Sequence, residues 1–247
     1  MAIQKTIALF GAGTGLGTSL ATRFGREGYR VALIARRAAP LDERIRELAK
    51  AGIEAAAFPA DLTDIAGIPA LVRSVEARFG AIDVAVYAPV PSGLGMVPAV
   101  DLDASTLQAL TGIFTYAPIE VAHAVVQGQL ARGDGAVVVV GGLTALVTIP
   151  GLSGVGPAMA ATRNYVHTLN AEVGARGVYA GTVNIGAMIE RSAGLRAATA
   201  GGNELPPNLP FIDPDVIAEE IWSLVTKRDR VEMNLPVVSP NNHGEAK

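Results

Sequence analysis

The sequence predicts an α/β fold: a doubly wound parallel sheet of about seven strands forming a single domain over residues 1–247. Three observations carry that reading. Apolar runs such as Ile7-Ala8-Leu9-Phe10, Val31-Ala32-Leu33-Ile34 and Ala136-Val137-Val138-Val139 are continuous rather than alternating, as in strands covered on both faces. Stretches of helical periodicity separate them, which implies parallel strands joined by right-handed crossovers. The first run also leads into Gly11-Ala12-Gly13-Thr14-Gly15-Leu16-Gly17 and then an apolar-periodic segment, the pattern of strand, tight turn and helix.

That turn has a chemical use. Glycines let a phosphate approach the backbone, while the N–H groups and positive dipole end of the following helix face the anion. Gly11, Gly13, Thr14, Gly15, Leu16 and Gly17 are therefore expected to hold a pyrophosphate, and the strand–turn–helix context is what makes the motif specific.

The second strand, Val31 to Ala35, ends at Arg36-Arg37. In dinucleotide folds an acid near this point takes a ribose 2′-hydroxyl, whereas arginine accommodates a 2′-phosphate. Arg36 and Arg37 thus point to NADP(H), against the plainer reading of two solvated arginines opening a helix. A charged amphipathic helix follows from about Leu41 to Ala51 and stops at Gly52. A third strand spans Glu54 to Pro59, and Asp61-Leu62 lies just beyond it. Asp61 either accepts from an adenine amino group or caps the helix beginning near Thr63-Asp64, and the two roles are compatible.

That helix runs to Phe79-Gly80, and Ile82 to Tyr87 is the fourth strand. A loop with Pro89, Pro91 and Gly93 precedes a long helical stretch from about Ala104 towards Arg132, with irregularities expected at Gly112, Pro118 and Gly128. Gly135 to Val140 is the fifth strand, Ala158 to Ala175 a helix and Val178 to Ile185 the sixth strand. Residues 187–214 are rich in Gly, Pro and Asn and are expected to form a flexible substrate-side segment. Asp215 to Thr226 is a helix and Val231 to Val238 the last strand.

The net charge of −3 and the dispersed Lys and Arg argue against nucleic acid. No cysteine is present, which excludes thiolate chemistry and fits a reducing compartment. No apolar run reaches the roughly 18 residues of a membrane span. A soluble, cytoplasmic protein with no membrane partner and no metal is expected.

On these residues the chain resembles the short-chain dehydrogenase/reductase family over essentially its whole length. Gly11, Gly15 and Gly17 match its glycine motif, with Phe10 where a Thr is usual, and Ala35-Arg36 resembles its NADP-preferring variant. Asp61-Leu62 sits at its adenine contact, Tyr87-Ala88-Pro89-Val90 in place of its Asn-Asn-Ala-Gly segment and Ile185-Gly186 in place of its Pro-Gly. Asn170-Ala171-Glu172-Val173 with Gly177-Val178-Tyr179 resembles the end of its central helix and the next strand. The resemblance implies a Rossmann-type fold, NADP(H), a small-molecule substrate and a homodimer or homotetramer. It also implies cofactor contacts at Ala88, Ile185 and Gly186.

The active-site positions depart from the family. Its Tyr and Lys, one helical turn apart, fall on Val155 and Met159; its Ser falls on Gly142 and its Asn on about Ala109. No Tyr lies between Tyr116 and Tyr165 and no Lys between Lys50 and Lys227, so no change of register restores the pair. In the family's mechanism the Tyr hydroxyl exchanges a proton with the carbonyl oxygen as hydride moves. Catalytic residues are therefore unknown, and three candidates have bland alternatives. Arg163 follows Met159 by one turn and could instead pair with an acid. Thr144, just past the Ser position, could satisfy backbone, and Tyr87, like Tyr116, could be core. His123 and His167 read as structural. Glu190-Arg191 opens the segment where the family has a cofactor-contacting Thr.

Three functions remain open. The first is an NADP(H)-dependent reductase whose substrate, an imine or an activated alkene, needs no acid from the missing Tyr. The second is an inactive family member that binds NADP(H) as a structural or sensing ligand. The third is a lyase or isomerase step on the same scaffold.

Overall fold

The computed structural model describes residues 4–91, 96–202, 204–205 and 207–236. In chain order the elements are β1 (Thr6–Phe10), α1 (Leu16–Arg26), β2 (Arg30–Ala35), α2 (Ala38–Lys50), β3 (Ala55–Pro59), α3 (Ile68–Phe79), β4 (Val84–Tyr87) and α4 (Ala104–Thr111). There follow α5 (Ala117–Arg132), β5 (Gly135–Gly142), α6 (Val155–Val173), β6 (Val178–Ile185), β7 (Met188–Ile189), α7 (Ala193–Ala198), β8 (Phe211–Ile212), α8 (Pro214–Lys227) and β9 (Glu232–Leu235).

Seven strands form one parallel sheet in the order β3-β2-β1-β4-β5-β6-β9. Strand order reverses between β1 and β4, which pair with Phe10 opposite Tyr87, and the crevice beyond their carboxyl ends is where ligands bind in such sheets. Period-two alternation divides the core. Ala8 and Phe10 pack with α3, α5 and α6, whereas Ile7 and Leu9 pack with α1, α2 and α8.

Several boundaries differ from the sequence reading. The helix expected from Leu41 begins at Ala38, and the one expected from Ala158 begins at Val155. Asp64 accepts from Gly67 N–H (3.2 Å) and caps a short turn over Ile65–Gly67, so the third long helix begins only at Ile68. The long helical stretch is α4, a π-helical turn at Gly112–Tyr116 and α5. Gly112 opens that turn, whereas Pro118 sits in the first turn of α5, where its missing N–H is harmless. By length and composition Ala104–Arg132 could cross a membrane, but half of its most apolar window is buried inside the domain, as in a core helix.

The segment 187–214 is more than a loop. Its β7 and β8 pair in parallel, Met188 opposite Phe211, and Ser192 caps α7 by accepting from Leu195 N–H (3.0 Å). Gly93, Val237 and Val238, placed in the loop and last strand by the sequence reading, lie outside the described residues.

Candidate functional site

The groove over the sheet's carboxyl edge is built on the glycine turn. Gly11 has φ +91°, and a Cβ there would stand 2.5 Å from Pro89 N, so only glycine lets β1 end against the residues after β4. The turn is tied to β2, because Gly11 and Ala12 both donate to the Ile34 carbonyl (3.0 and 2.8 Å). Gly17 packs on Ala12, where a Cβ would come within 2.8 Å of the Ala12 carbonyl carbon. By contrast, the nearest atom to a Cβ on Gly13 would be 3.8 Å away, which leaves room for a ligand beside the backbone. Gly15 caps α1 without any side-chain hydrogen bond and no acid stands in the helix's first turn, an arrangement that suits an anion.

A second segment closes over this turn. Thr14 Oγ1 donates to the Arg191 carbonyl (3.2 Å) and accepts from Arg196 Nη2 (2.6 Å), while Arg191 pairs with Asp213 and Asp215 at 2.6 and 2.9 Å. The 190–192 backbone lies against Gly15, whose Cβ would be 3.1 Å from the Glu190 carbonyl oxygen. Nothing in sequence spacing links residues so far apart in the chain.

One end of the groove is a cavity of about 430 Å³ whose walls include Gly13, Arg36, Arg37, Arg44, Asp61 and Leu62. Arg36 and Arg37 are exposed and Leu62 is buried. Asp61 accepts from Thr63 N–H and Oγ1–H (3.0 and 2.8 Å), and these bonds, with the nearby Arg36 charge, hold its carboxyl below the ordinary range. Asp61 thus shapes the turn after β3, and Asp64 takes the capping role. Arg44, which the sequence reading missed, reaches from α2 to donate to the Ala12 carbonyl (2.8 Å). Its position between Leu41 and Leu48 on the buried face is the signal that could have found it.

The other end is apolar. Ala88, Val140, Gly142, Met159, Ile185 and Ile189 are among the walls of a cavity of about 290 Å³. Met159 Sδ accepts from Gly142 N–H (3.1 Å) and lies 3.7 Å from Thr144 Oγ1, so a thioether stands where the resemblance would place a lysine. Val155, at the tyrosine position, is packed into the core and 7% exposed. Ala109 lines the larger cavity at the opposite end. Gly186 N–H donates to the Leu235 carbonyl (2.7 Å), joining the end of β6 to β9. Beyond Thr144 an open pocket of about 630 Å³, formed largely by residues 144–153, has no charged side chain in its lining.

Thr144 stays beside Met159 and lines this pocket, but the other two polar candidates are committed elsewhere. Tyr87 is buried, its hydroxyl donates to the Ile113 carbonyl of the π-helical turn (2.6 Å), and burial pushes its pKa well above the ordinary phenol value. Tyr116 is 54% exposed. Arg163 pairs with Glu232 of β9, and His167 Nε2 lies 3.2 Å from both Glu232 Oε2 and Thr182 Oγ1. His167 therefore has an acidic partner from a distant strand. Burial, then Arg163, lowers its pKa against the raising pull of Glu232. Although burial opposes it, the Arg163 bond and charge leave the Glu232 carboxyl below its usual range. Arg163 and Tyr87 do line a neighbouring cavity of about 20 Å³, roughly the room for one water.

The sequence profile described as short chain dehydrogenase matches residues 5–194. Among curated proteins, 2-(S)-hydroxypropyl-CoM dehydrogenase 3 of Xanthobacter autotrophicus is 29% identical over 238 residues, covering 90% of each chain. Among solved structures, a variant of actinorhodin polyketide ketoreductase with NADPH superposes with a TM-score of 0.82 at 22% identity, covering 94% of this chain and 95% of the other. An alcohol dehydrogenase from the archaeon Thermococcus sibiricus, complexed with 5-hydroxy-NADP, gives 0.76 at 23%, again covering 94% and 95%. Both structures share the fold described above.

Proposed function

Since the chain belongs to the short-chain dehydrogenase family, we propose that it is an NADP(H)-dependent oxidoreductase whose active site supplies no proton and whose substrates are imines or activated alkenes. One contrast carries this reading: arginines at one end of the groove, against a wall of Met159, Val140 and Ile185 at the other, where the uncapped start of α1 joins them. Gly11, Gly13, Thr14, Gly15, Leu16 and Gly17 would hold the pyrophosphate. Arg36 and Arg37 would take the 2′-phosphate, and Asp61 and Leu62 would bound the adenine. Ala88, Ile185 and Gly186 would flank the nicotinamide. An arginine–phosphate contact contributes on the order of 1.5–3 kcal/mol, or roughly tenfold or more in affinity.

When bound, the nicotinamide supplies or accepts hydride. Met159 and Val155 offer no proton, and the Tyr87 hydroxyl is buried in its own hydrogen bond. An iminium already carries its charge, and an activated alkene can take its proton from solvent, so neither asks for the missing acid. The uncharged pocket beyond Thr144 suits an apolar substrate, and Ala187, Met188 and Ile189 of segment 187–214 would border the substrate in the neighbouring apolar cavity. We place the protein in the cytoplasm as a homodimer or homotetramer, with α6, α8 and β9 as candidate interfaces.

The commitment of Tyr87 and Arg163 to structural bonds favours a second reading, a cofactor binder without turnover. Fluorescence titration with NADPH and NADH, followed by assay on cyclic iminium ions, activated alkenes and ketones, tests both. The proposal expects tighter NADPH binding, a preference reduced about tenfold in Arg36→Ala, and turnover confined to the first two classes. Tight binding with no turnover supports the second reading. Equal affinities for the two cofactors contradict the NADP(H) assignment.

A further inference from the structure

Arg44 stands where α2 calls for an apolar side chain. It lies on the face that buries Leu41 and Leu48 and is 6% exposed. A guanidinium stays protonated in proteins, so this is a buried cation. Among the described residues it enters no ion pair, and its hydrogen bond is to a carbonyl, that of Ala12 in the glycine turn. Burial lowers its pKa against the raising pull of Glu47 and Glu43, both exposed on the same helix. Among the described residues none of its nitrogens is buried without a partner, and the guanidinium lines a cavity with no counter-charge of its own.

The surroundings point to what would supply one. Arg44 shares its cavity wall with Arg36 and Arg37, against a single carboxylate, Asp61, that is already bound to Thr63 and offset by Arg36. A phosphomonoester carries nearly two negative charges and three acceptor oxygens at neutral pH, and arginine forks match it geometrically. We propose that Arg44 is a specificity-determining residue that forms the buried floor of a phosphomonoester site walled by Arg36 and Arg37, and that links occupancy of this site to the glycine turn through Ala12. This rests on the cofactor reading above, and the group recognised would be the 2′-phosphate of a nucleotide or a free phosphate ion. Binding there would favour the folded state, so phosphate should stabilise the fold beyond any general salt effect.

Calorimetric titration with adenosine 2′,5′-bisphosphate, ADP and inorganic phosphate, paired with thermal melts, tests this on the wild type and on R44Q and R44K. R44Q can keep a hydrogen bond to Ala12 without the charge, and R44K keeps the charge. The wild type should bind the bisphosphate at least about tenfold more tightly than ADP. R44Q should bring that ratio down to within about threefold at nearly unchanged ADP affinity, and R44K should retain most of it. Inorganic phosphate should raise the wild-type melting temperature above that in chloride of equal ionic strength, and should not do so for R44Q. If only the bisphosphate does this, the site reads a nucleotide phosphate and not a free ion. Equal losses for ADP and bisphosphate in R44Q would show a merely structural contact to Ala12 and overturn the proposal. A ratio that survives R44Q but collapses in R36A would overturn it while leaving the NADP(H) reading intact. A wild type without preference would overturn both. Should R44Q not fold, R44M takes its place, and the wild-type melts in phosphate and chloride still decide the outcome.

Discussion

The two ends of one groove have been treated differently. At the turn after β1, geometry leaves little freedom: Gly11 is pressed on Pro89, Gly17 on Ala12, and cationic side chains face a cavity of about 430 Å³. At the far end, the positions where the family resemblance would place a catalytic pair hold a valine in the core and a methionine whose sulfur accepts a backbone N–H. The fold tolerates this because the two ends are held by different forces. The turn is locked by close backbone contact, whereas the fold does not need a proton-handling pair and can pack apolar groups in its place. Binding and chemistry are thus separable on this sheet.

The sharpest way to break the contrast is to rebuild the far end. Gly142→Ser, Val155→Tyr and Met159→Lys together should raise NADPH-dependent ketone turnover by about 10²–10⁴-fold, the usual contribution of positioned acid–base groups. A Cβ on Gly142 would lie 3.2 Å from Thr144 Oγ1 and 3.4 Å from Met159 Sδ, and the second crowding leaves with Met159→Lys. Val155→Tyr must repack a buried site, so circular dichroism should accompany the ketone assay. A folded triple variant without any gain would show that the far end lacks more than its proton donors.

At the other end, Gly11→Ala should destabilise the fold by about 3 kcal/mol or more, from the positive φ and the clash with Pro89. Gly13→Ala should change stability by no more than about 0.5 kcal/mol yet weaken cofactor binding, because its Cβ enters ligand space instead of protein. Urea unfolding and fluorescence titration separate the two effects.

The smallest effect concerns Arg163 and Glu232. The Glu232 carboxyl is held below its ordinary value of 4.5, so the stability it contributes is present above that pH and lost as pH falls through the lowered value. Glu232→Gln should cost about 1–3 kcal/mol at pH 7, with the gap to wild type narrowing below pH 4.5. Denaturant midpoints measured from pH 7 to pH 3.5 check this, and a constant gap would contradict it. Arg163→Ala should leave turnover unchanged, in keeping with a structural partner of Glu232.

The sequence revealed most of the sheet and less of what surrounds it. Buried parallel strands announce themselves as apolar runs, and the glycine spacing is tied to backbone geometry, so β1 to β6 and the turn were legible. Helix starts were less so, because Arg37 and Gly154, the residues that cap α2 and α6, make no side-chain capping bond. The pairing of β7 with β8 joins segments too short for periodicity to register. Arg44 hid within a charged helix, where an arginine reads as solvated until its register with Leu41 and Leu48 is counted. Arg163 does lie one turn beyond Met159, but which neighbour a long side chain selects depended on Glu232, far away in the chain.

The most direct test is a crystal structure with NADPH bound. The account predicts that Arg36, Arg37 and Arg44 surround the 2′-phosphate. It also predicts that no Tyr, Lys, His, Arg or carboxylate lies within hydrogen-bond reach, about 3 Å, of a substrate atom placed over the nicotinamide C4 face. A titratable side chain within that reach, carried there by segment 187–214 or by a partner subunit, would contradict it.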